Sequence, residues 1–130
     1  MGELSGPRSL RVLIADDNED AAEMLAQLVR MRGYKVAVAH DGLEAISSAA
    51  SFMPDVALLD IGMPELDGHQ VAAELRRERG SGVTLVAITG WGDSAAMERS
   101  SSAGFDHHLT KPIDLDGLIR WLAQHSQKRT

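Results

Sequence analysis

Short runs of Val, Ile, Leu and Ala punctuate the chain, separated by longer stretches in which apolar residues return every three or four positions. RVLIAD (11–16), KVAVA (35–39), VALLD (56–60), TLVAIT (84–89) and DHHLT (106–110) have the length and β-branched content of strands. Several are apolar on both faces, which suits a parallel sheet covered by helices on each side. Between the first two runs Ala22, Leu25, Leu28 and Val29 recur at helical spacing until Gly33 stops the pattern. Similar periodicity marks helices over 43–52, 69–79, 93–103 and 115–125. The order is (βα) five times, so the expected fold class is α/β, a doubly wound five-stranded parallel sheet. In such sheets ligands bind beyond the carboxyl ends of the strands, at the switch point.

Composition narrows the picture without redirecting it. A chain of 130 residues, 44% hydrophobic and 4% aromatic, has the size of one compact domain. Residues 10–125 form that domain, with a flexible amino-terminal tail over 1–9 and a carboxyl-terminal tail over 126–130. The chain contains no cysteine, which excludes a disulfide framework, a thiolate zinc site and a cysteine nucleophile, and fits a reducing, cytoplasmic setting. No signal core or membrane span is evident, and Gly6 breaks the myristoylation pattern that Gly2 begins. A net charge of −6 with scattered Lys and Arg argues against direct nucleic-acid binding.

The geometric rule converts scattered polar residues into a constellation. Asp16 and Asp17 follow strand one, Asp60 ends strand three, Thr89 ends strand four, and Lys111-Pro112 follow strand five. Each has a plain structural explanation. Asp17 or Asn18 can cap the first helix, Thr89 the fourth, Asp60 can open a turn, and Lys-Pro can be a sharp connection. Together they are costly: ionised carboxylates about 5 Å apart repel by roughly 3 kcal/mol per pair at an effective dielectric near 20. Proton uptake or a cation relieves that, and a hard oxygen-rich site suits Mg²⁺. Carboxylate, metal, lysine and small hydroxyl around one point make a phosphoryl-transfer site, with Asp60 as the nucleophile held by the strand behind it.

These landmarks, with MPELDG after Asp60, resemble the receiver domain of two-component response regulators over about residues 10–125. The resemblance implies the flavodoxin-like strand order 2-1-3-4-5. It implies that Asp60 accepts a phosphoryl group from a histidine kinase or a histidine phosphotransfer protein. Asp17, Asp60 and the backbone carbonyl of Gly62 would ligate Mg²⁺ directly, and Asp16 mainly through metal-bound water. Thr89 and Lys111 would contact the phosphoryl oxygens, and the Lys111-Pro112 peptide would be cis. Such a domain is a self-modifying switch more than an enzyme turning over outside substrates, and it signals to a downstream effector protein as a monomer or a dimer. With nothing after Thr130, the chain reads as a single-domain regulator or as a receiver from a larger protein. AGFDHHLTKPIDLDGL is similar to receivers of hybrid sensor histidine kinases.

The chain also departs from the family. His108 stands where the family places a Tyr or Phe that swings inward when the threonine moves, so the switch pair here is Thr89 and His108. That imidazole makes the switch pH-dependent or is a plain surface residue. His107 and His108, neighbours on a strand, point to opposite faces and cannot share a metal ion. Gly62 and Trp91 flank the site with opposing effects on water access, and Gly90 loosens the loop after Thr89. Rival functions fit less well. A nucleotide-binding site wants a Gly-rich phosphate loop where this chain has ADDNED. A haloacid-dehalogenase-type phosphatase wants a second aspartate where Gly62 stands. The remaining rival is a receiver that binds partners without being phosphorylated.

Overall fold

The computed structural model describes residues 10–61, 68–90 and 104–128. Elements are numbered in chain order among these residues: β1 (Arg11–Ala15), α1 (Glu19–Arg30), β2 (Lys35–Ala39), α2 (Gly42–Phe52), β3 (Val56–Asp60), α3 (Gly68–Arg79), β4 (Thr84–Thr89), β5 (His107–Thr110) and α4 (Leu115–Lys128). A single 3-10 turn, Gly80–Gly82, joins α3 to β4. All four strand pairings are parallel and the order is β2-β1-β3-β4-β5, as the sequence leads one to expect. The helix expected over 93–103 and the tail 1–9 lie outside the described residues.

Strand alternation divides the core into two layers. Leu13, Ala15, Ala57, Leu59, Leu85 and Ala87 face one side, where Ala45 and Ala49 of α2 and Val71, Ala72 and Leu75 of α3 cover them. Val12, Ile14, Val56, Leu58, Val86 and Ile88 face the other, against Ala22, Ala26 and Val29 of α1 and Leu118 and Leu122 of α4. The central strand β3 is buried along its whole length, whereas edge strands β2 and β5 are mostly half-exposed. This is why VALLD carries no polar residue before its last position.

Boundaries differ from expectation where side chains take over from the ladder. β1 ends at Ala15, one residue early, because its pairing with β3 stops at Ala15 and Leu59. β5 starts at His107, because the Asp106 carboxylate instead accepts from the Leu85 amide at 2.9 Å and from Arg76 at 2.7 Å. The last helix continues through residues 126–128, expected to belong to a tail; Ser, Gln and Lys there include neither Gly nor Pro to stop it. Helix α2 opens with an Asp41 cap that accepts from the Glu44 amide at 2.8 Å, while Glu44 accepts from the His40 amide at 2.9 Å. Both bonds satisfy amides at the start of the helix, in the manner of a capping box.

Candidate functional site

The site stands at the carboxyl edge of the sheet, where β1, β3, β4 and β5 end side by side. Chain direction is the cause: in a parallel sheet every strand delivers its last residue to the same edge, so residues far apart in sequence become neighbours. Asp60 closes β3, Thr89 closes β4, and Asp16 follows β1; these side chains are buried, at 8%, 3% and 7% exposure. Asp17 beside them is exposed. Carboxylate oxygens of Asp16, Asp17 and Asp60 all lie within 4.8 Å of one another.

Lys111 reaches in from the end of β5, and its Nζ donates to Asp60 Oδ2 at 3.0 Å. The backbone steers it there, since the Lys111 amide donates to the Thr89 carbonyl at 2.8 Å and thus extends the β4–β5 pairing past the last strand residue. The Lys111-Pro112 peptide is cis. Burial lowers the affinity of the Lys111 amine for its proton, but the bond to Asp60 and the charges of Asp60, Asp16 and Asp17 outweigh it, and its pKa is raised above the ordinary 10.5.

Asp16 is held at the other side of the cluster. Its backbone amide donates to the Ala39 carbonyl at 3.0 Å, and its Oδ1 accepts from the Asn18 amide at 2.9 Å. Asn18 in turn caps α1, its side chain accepting from the Ala21 amide at 3.0 Å. Burial is the largest influence on the Asp16 carboxyl and raises its pKa above the usual 3.8; the Asp60 charge raises it further, while the Asn18 amide and Lys111 oppose both. A cluster in which burial and a neighbouring carboxylate favour proton uptake is one that gains from a cation. Three carboxylates are hard oxygen donors of the kind Mg²⁺ takes, and they converge tightly enough to share one ion. The residues present therefore fit a divalent metal.

Asp16, Asp17, Asp60 and Lys111 are thus brought together as the sequence reading requires, and Thr89 shares their edge. Gly62 and Trp91 lie outside the described residues, so the carbonyl ligand and the loop residue have no placement here. Gly90 is exposed and open around its α-carbon. His107 and His108 do point to opposite faces: His107 stacks on Trp121 of α4 at 5.3 Å between ring centroids, and His108 turns toward Phe105 at 6.5 Å. His108 is half-exposed as a residue, with its Nε2 atom buried. Phe105, folded into the core of that face, lies beside it.

Two features escaped the sequence. His40, after β2, lies with Nδ1 3.4 Å from the Asp16 carbonyl and Nε2 3.9 Å from a Glu23 carboxylate oxygen. No motif signals this, since the contacts join separate elements. Beside Lys111, a cavity of about 470 Å³ opens between α1 and the β5–α4 connection, lined by Ala21, Met24, Leu25, Leu28, Pro112 and Ile113. Met24 is 65% exposed there. Its signal was present in the sequence as a second apolar stripe on α1, on Ala21, Met24, Leu25 and Leu28, beside the core-facing one.

Comparisons with known proteins agree with this geometry. The family model of the response regulator receiver domain matches residues 12–123. Response regulator MprA of Mycobacterium bovis is 36% identical over 111 residues, covering 85% of this chain and 48% of that protein. The chain thus spans about half the length of the curated relatives it matches. Among solved structures, the signal receiver domain of a modulated diguanylate cyclase from Desulfovibrio desulfuricans is 32% identical with a TM-score of 0.80, covering 93% of this chain and 96% of that one. The receiver domain of the Francisella response regulator 1452 is 26% identical with a TM-score of 0.84, covering 94% and 100%. Sheet order, converging carboxylates, lysine and family match together make this chain a member of the response regulator receiver domain family of two-component signalling.

Proposed function

We propose that Asp60 is the phosphoacceptor of this receiver and that it takes the phosphoryl group from a phosphohistidine in a Mg²⁺-dependent step. The observation that carries the proposal is the buried Asp60 carboxylate, paired with Lys111 at 3.0 Å and packed within 4.8 Å of two further carboxylates. A carboxylate oxygen of Asp60 attacks phosphorus while the phosphorus–nitrogen bond of the donor breaks, and the donor's imidazole, protonated from water at its other ring nitrogen, leaves as the neutral ring. Strand β3, buried throughout, holds the nucleophile in place and limits the motion lost on reaction.

Asp16, Asp17 and Asp60 are the side chains that would hold the ion, with the Gly62 carbonyl as the expected further ligand. When bound, a divalent cation supplies positive charge to the phosphoryl oxygens and relieves repulsion among the carboxylates. Lys111 keeps its proton at neutral pH and can exchange the Asp60 oxygen for a phosphoryl oxygen at little cost in position. Thr89, on the neighbouring strand end, offers a hydroxyl to the same group, and its displacement carries the signal toward β5. Hydrolysis of the acyl phosphate resets the domain, so its chemistry is directed at itself and not at an outside substrate pool.

The donor is a histidine kinase or histidine phosphotransfer protein, and the cavity beside α1 supports its docking. That groove is apolar, and Lys111 lines it as well as the acidic cluster, so a partner seated there presents its histidine to Asp60. An effector protein reads the switched surface. Among the described residues no helix is long and apolar enough to cross a membrane, which is compatible with a cytoplasmic site of action. The test is chemical: after incubation with acetyl phosphate and Mg²⁺, borohydride reduction and peptide mapping should find homoserine at position 60. Reduction at another carboxylate, with Asp60 intact, would remove Asp60 from this role.

A further inference from the structure

We propose that His40 is a positioning residue for the metal site, its imidazole holding the peptide between Asp16 and Asp17 so that the exposed Asp17 carboxylate stays turned toward Asp60. The inference rests on the reading of Asp17 as a ligand. The other two carboxylates have anchors of their own. Asp60 ends a strand buried along its whole length and accepts from Lys111, and Asp16 Oδ1 accepts from the Asn18 amide. Asp17 is exposed on the turn after β1, so the direction of its side chain is inherited from the backbone beneath it. That backbone is held on both sides of Asp16. The Asp16 amide donates to the Ala39 carbonyl at 3.0 Å, and the Asp16 carbonyl, part of the peptide that joins it to Asp17, lies 3.4 Å from His40 Nδ1. A carbonyl only accepts, so Nδ1 supplies the hydrogen of this bond.

The ring is itself held from two elements. The His40 amide donates to a Glu44 carboxylate oxygen in the first turn of α2 at 2.9 Å, and the Glu44 amide donates to Asp41 at 2.8 Å, which fixes the β2–α2 corner. On the far side of the ring Nε2 lies 3.9 Å from a Glu23 carboxylate oxygen of α1, and the His40 side chain is 29% exposed. His40 thereby ties the turn that carries Asp16 and Asp17 to a capped helix start on the neighbouring strand. Mg²⁺ takes its oxygens in near-octahedral directions, so a swing of Asp17 costs affinity even where the fold survives it. Partners that orient a ligand from behind typically change metal affinity by roughly ten- to a hundredfold. The His40 bond is a long one, which places its effect at the lower end of that range.

Calorimetric titration of the unphosphorylated chain with Mg²⁺ tests this, with wild type, His40→Ala, His40→Asn and Asp17→Asn side by side. Alanine removes the donor, whereas asparagine keeps a side-chain N–H close to where Nδ1 stands. His40→Ala should weaken Mg²⁺ binding about tenfold, and His40→Asn should stay within about threefold of wild type. A residue that only braces the corner would lower Tm in EDTA and leave the affinity alone. Wild-type affinity in His40→Ala, or binding by His40→Asn as weak as by His40→Ala, would therefore overturn the proposal. Asp17→Asn separates the two readings: if it binds Mg²⁺ as wild type does, Asp17 is no ligand and the inference falls with that reading. If Asp17→Asn binds weakly and His40→Ala binds normally, only the role of His40 is lost.

Discussion

Replacing Asp60 with asparagine should stabilise the metal-free protein. Asp60 and Asp16 are both less than a tenth exposed, and their carboxylate oxygens lie within 4.8 Å. At an effective dielectric near 20 their repulsion is about 3.5 kcal/mol before screening, and Asp17 adds a smaller, solvent-screened share. Against this stands the Lys111–Asp60 pair at 3.0 Å, whose lysine side chain is 42% exposed. Water competes for that amine, so the pair is worth about 1 kcal/mol after screening and side-chain ordering. With partial relaxation of the repulsion, the net gain from Asp60→Asn is about 1–2 kcal/mol, or a rise of some 3–8 °C in Tm for a chain of this size. Urea unfolding in EDTA at pH 7.5 measures it. Added Mg²⁺ should close the gap, because it binds and stabilises the wild-type fold preferentially. A pH series sharpens the result. Asp16 binds its proton more tightly in the folded than in the unfolded chain, so its ionisation destabilises the fold as pH rises through the raised pKa. Acidification from neutrality toward the window just above 3.8 should therefore recover stability in wild type and recover less in Asp60→Asn, where the charge of Asp60 no longer adds to the effect of burial. An Asp60→Asn protein less stable than wild type by 1 kcal/mol or more in EDTA would refute the reasoning, showing that the lysine pair dominates.

Three other expectations follow from the same geometry. Asp17→Asn should weaken Mg²⁺ binding by at least about tenfold in calorimetry with little change in Tm in EDTA, since Asp17 is exposed; unchanged affinity would remove it from the ligand set. Lys111 has a pKa raised above 10.5, so the stability it contributes is fully present below that pH and is lost as pH rises through the raised value. The Lys111→Met variant should lack that alkaline loss while still accepting phosphate more slowly, and an identical alkaline profile would contradict the pairing. Arg76 donates to the carbonyls of Gly80, Val83 and Gly104 and to Asp106, so Arg76→Ala should cost about 2–4 kcal/mol in urea unfolding; a loss under 0.5 kcal/mol would show water replacing it without penalty.

Much of the fold is local information and was legible as such. Parallel strands buried on both faces announce themselves as unbroken apolar runs, and the carboxyl-edge rule then brings Asp16, Asp17, Asp60, Thr89 and Lys111 together without any coordinates. What stayed hidden depends on contacts between distant elements. The Arg76 bond to Asp106 spans 30 residues and, with the Leu85 amide, holds the carboxylate of the residue just before β5. The direct Lys111 bond to Asp60 was not foreseen, because the family resemblance directs the lysine to a phosphoryl oxygen. The burial of the His108 Nε2 could not be read from a strand of mixed polarity, since its ring neighbour Phe105 lies in the connection before it. The Asp41 cap of α2 does have a local signal, Asp41 and Glu44 at capping-box spacing.

The central claim is phosphorylation at Asp60, and the mass of the intact protein tests it most directly. Wild type and Asp60→Ala, both confirmed as folded, are incubated with acetyl phosphate with and without Mg²⁺. The account predicts a single phosphoryl adduct on wild type that requires the metal and is absent from the variant. A folded wild type that gains no adduct under either condition would contradict it, and the chain would then be a receiver that signals by contact alone.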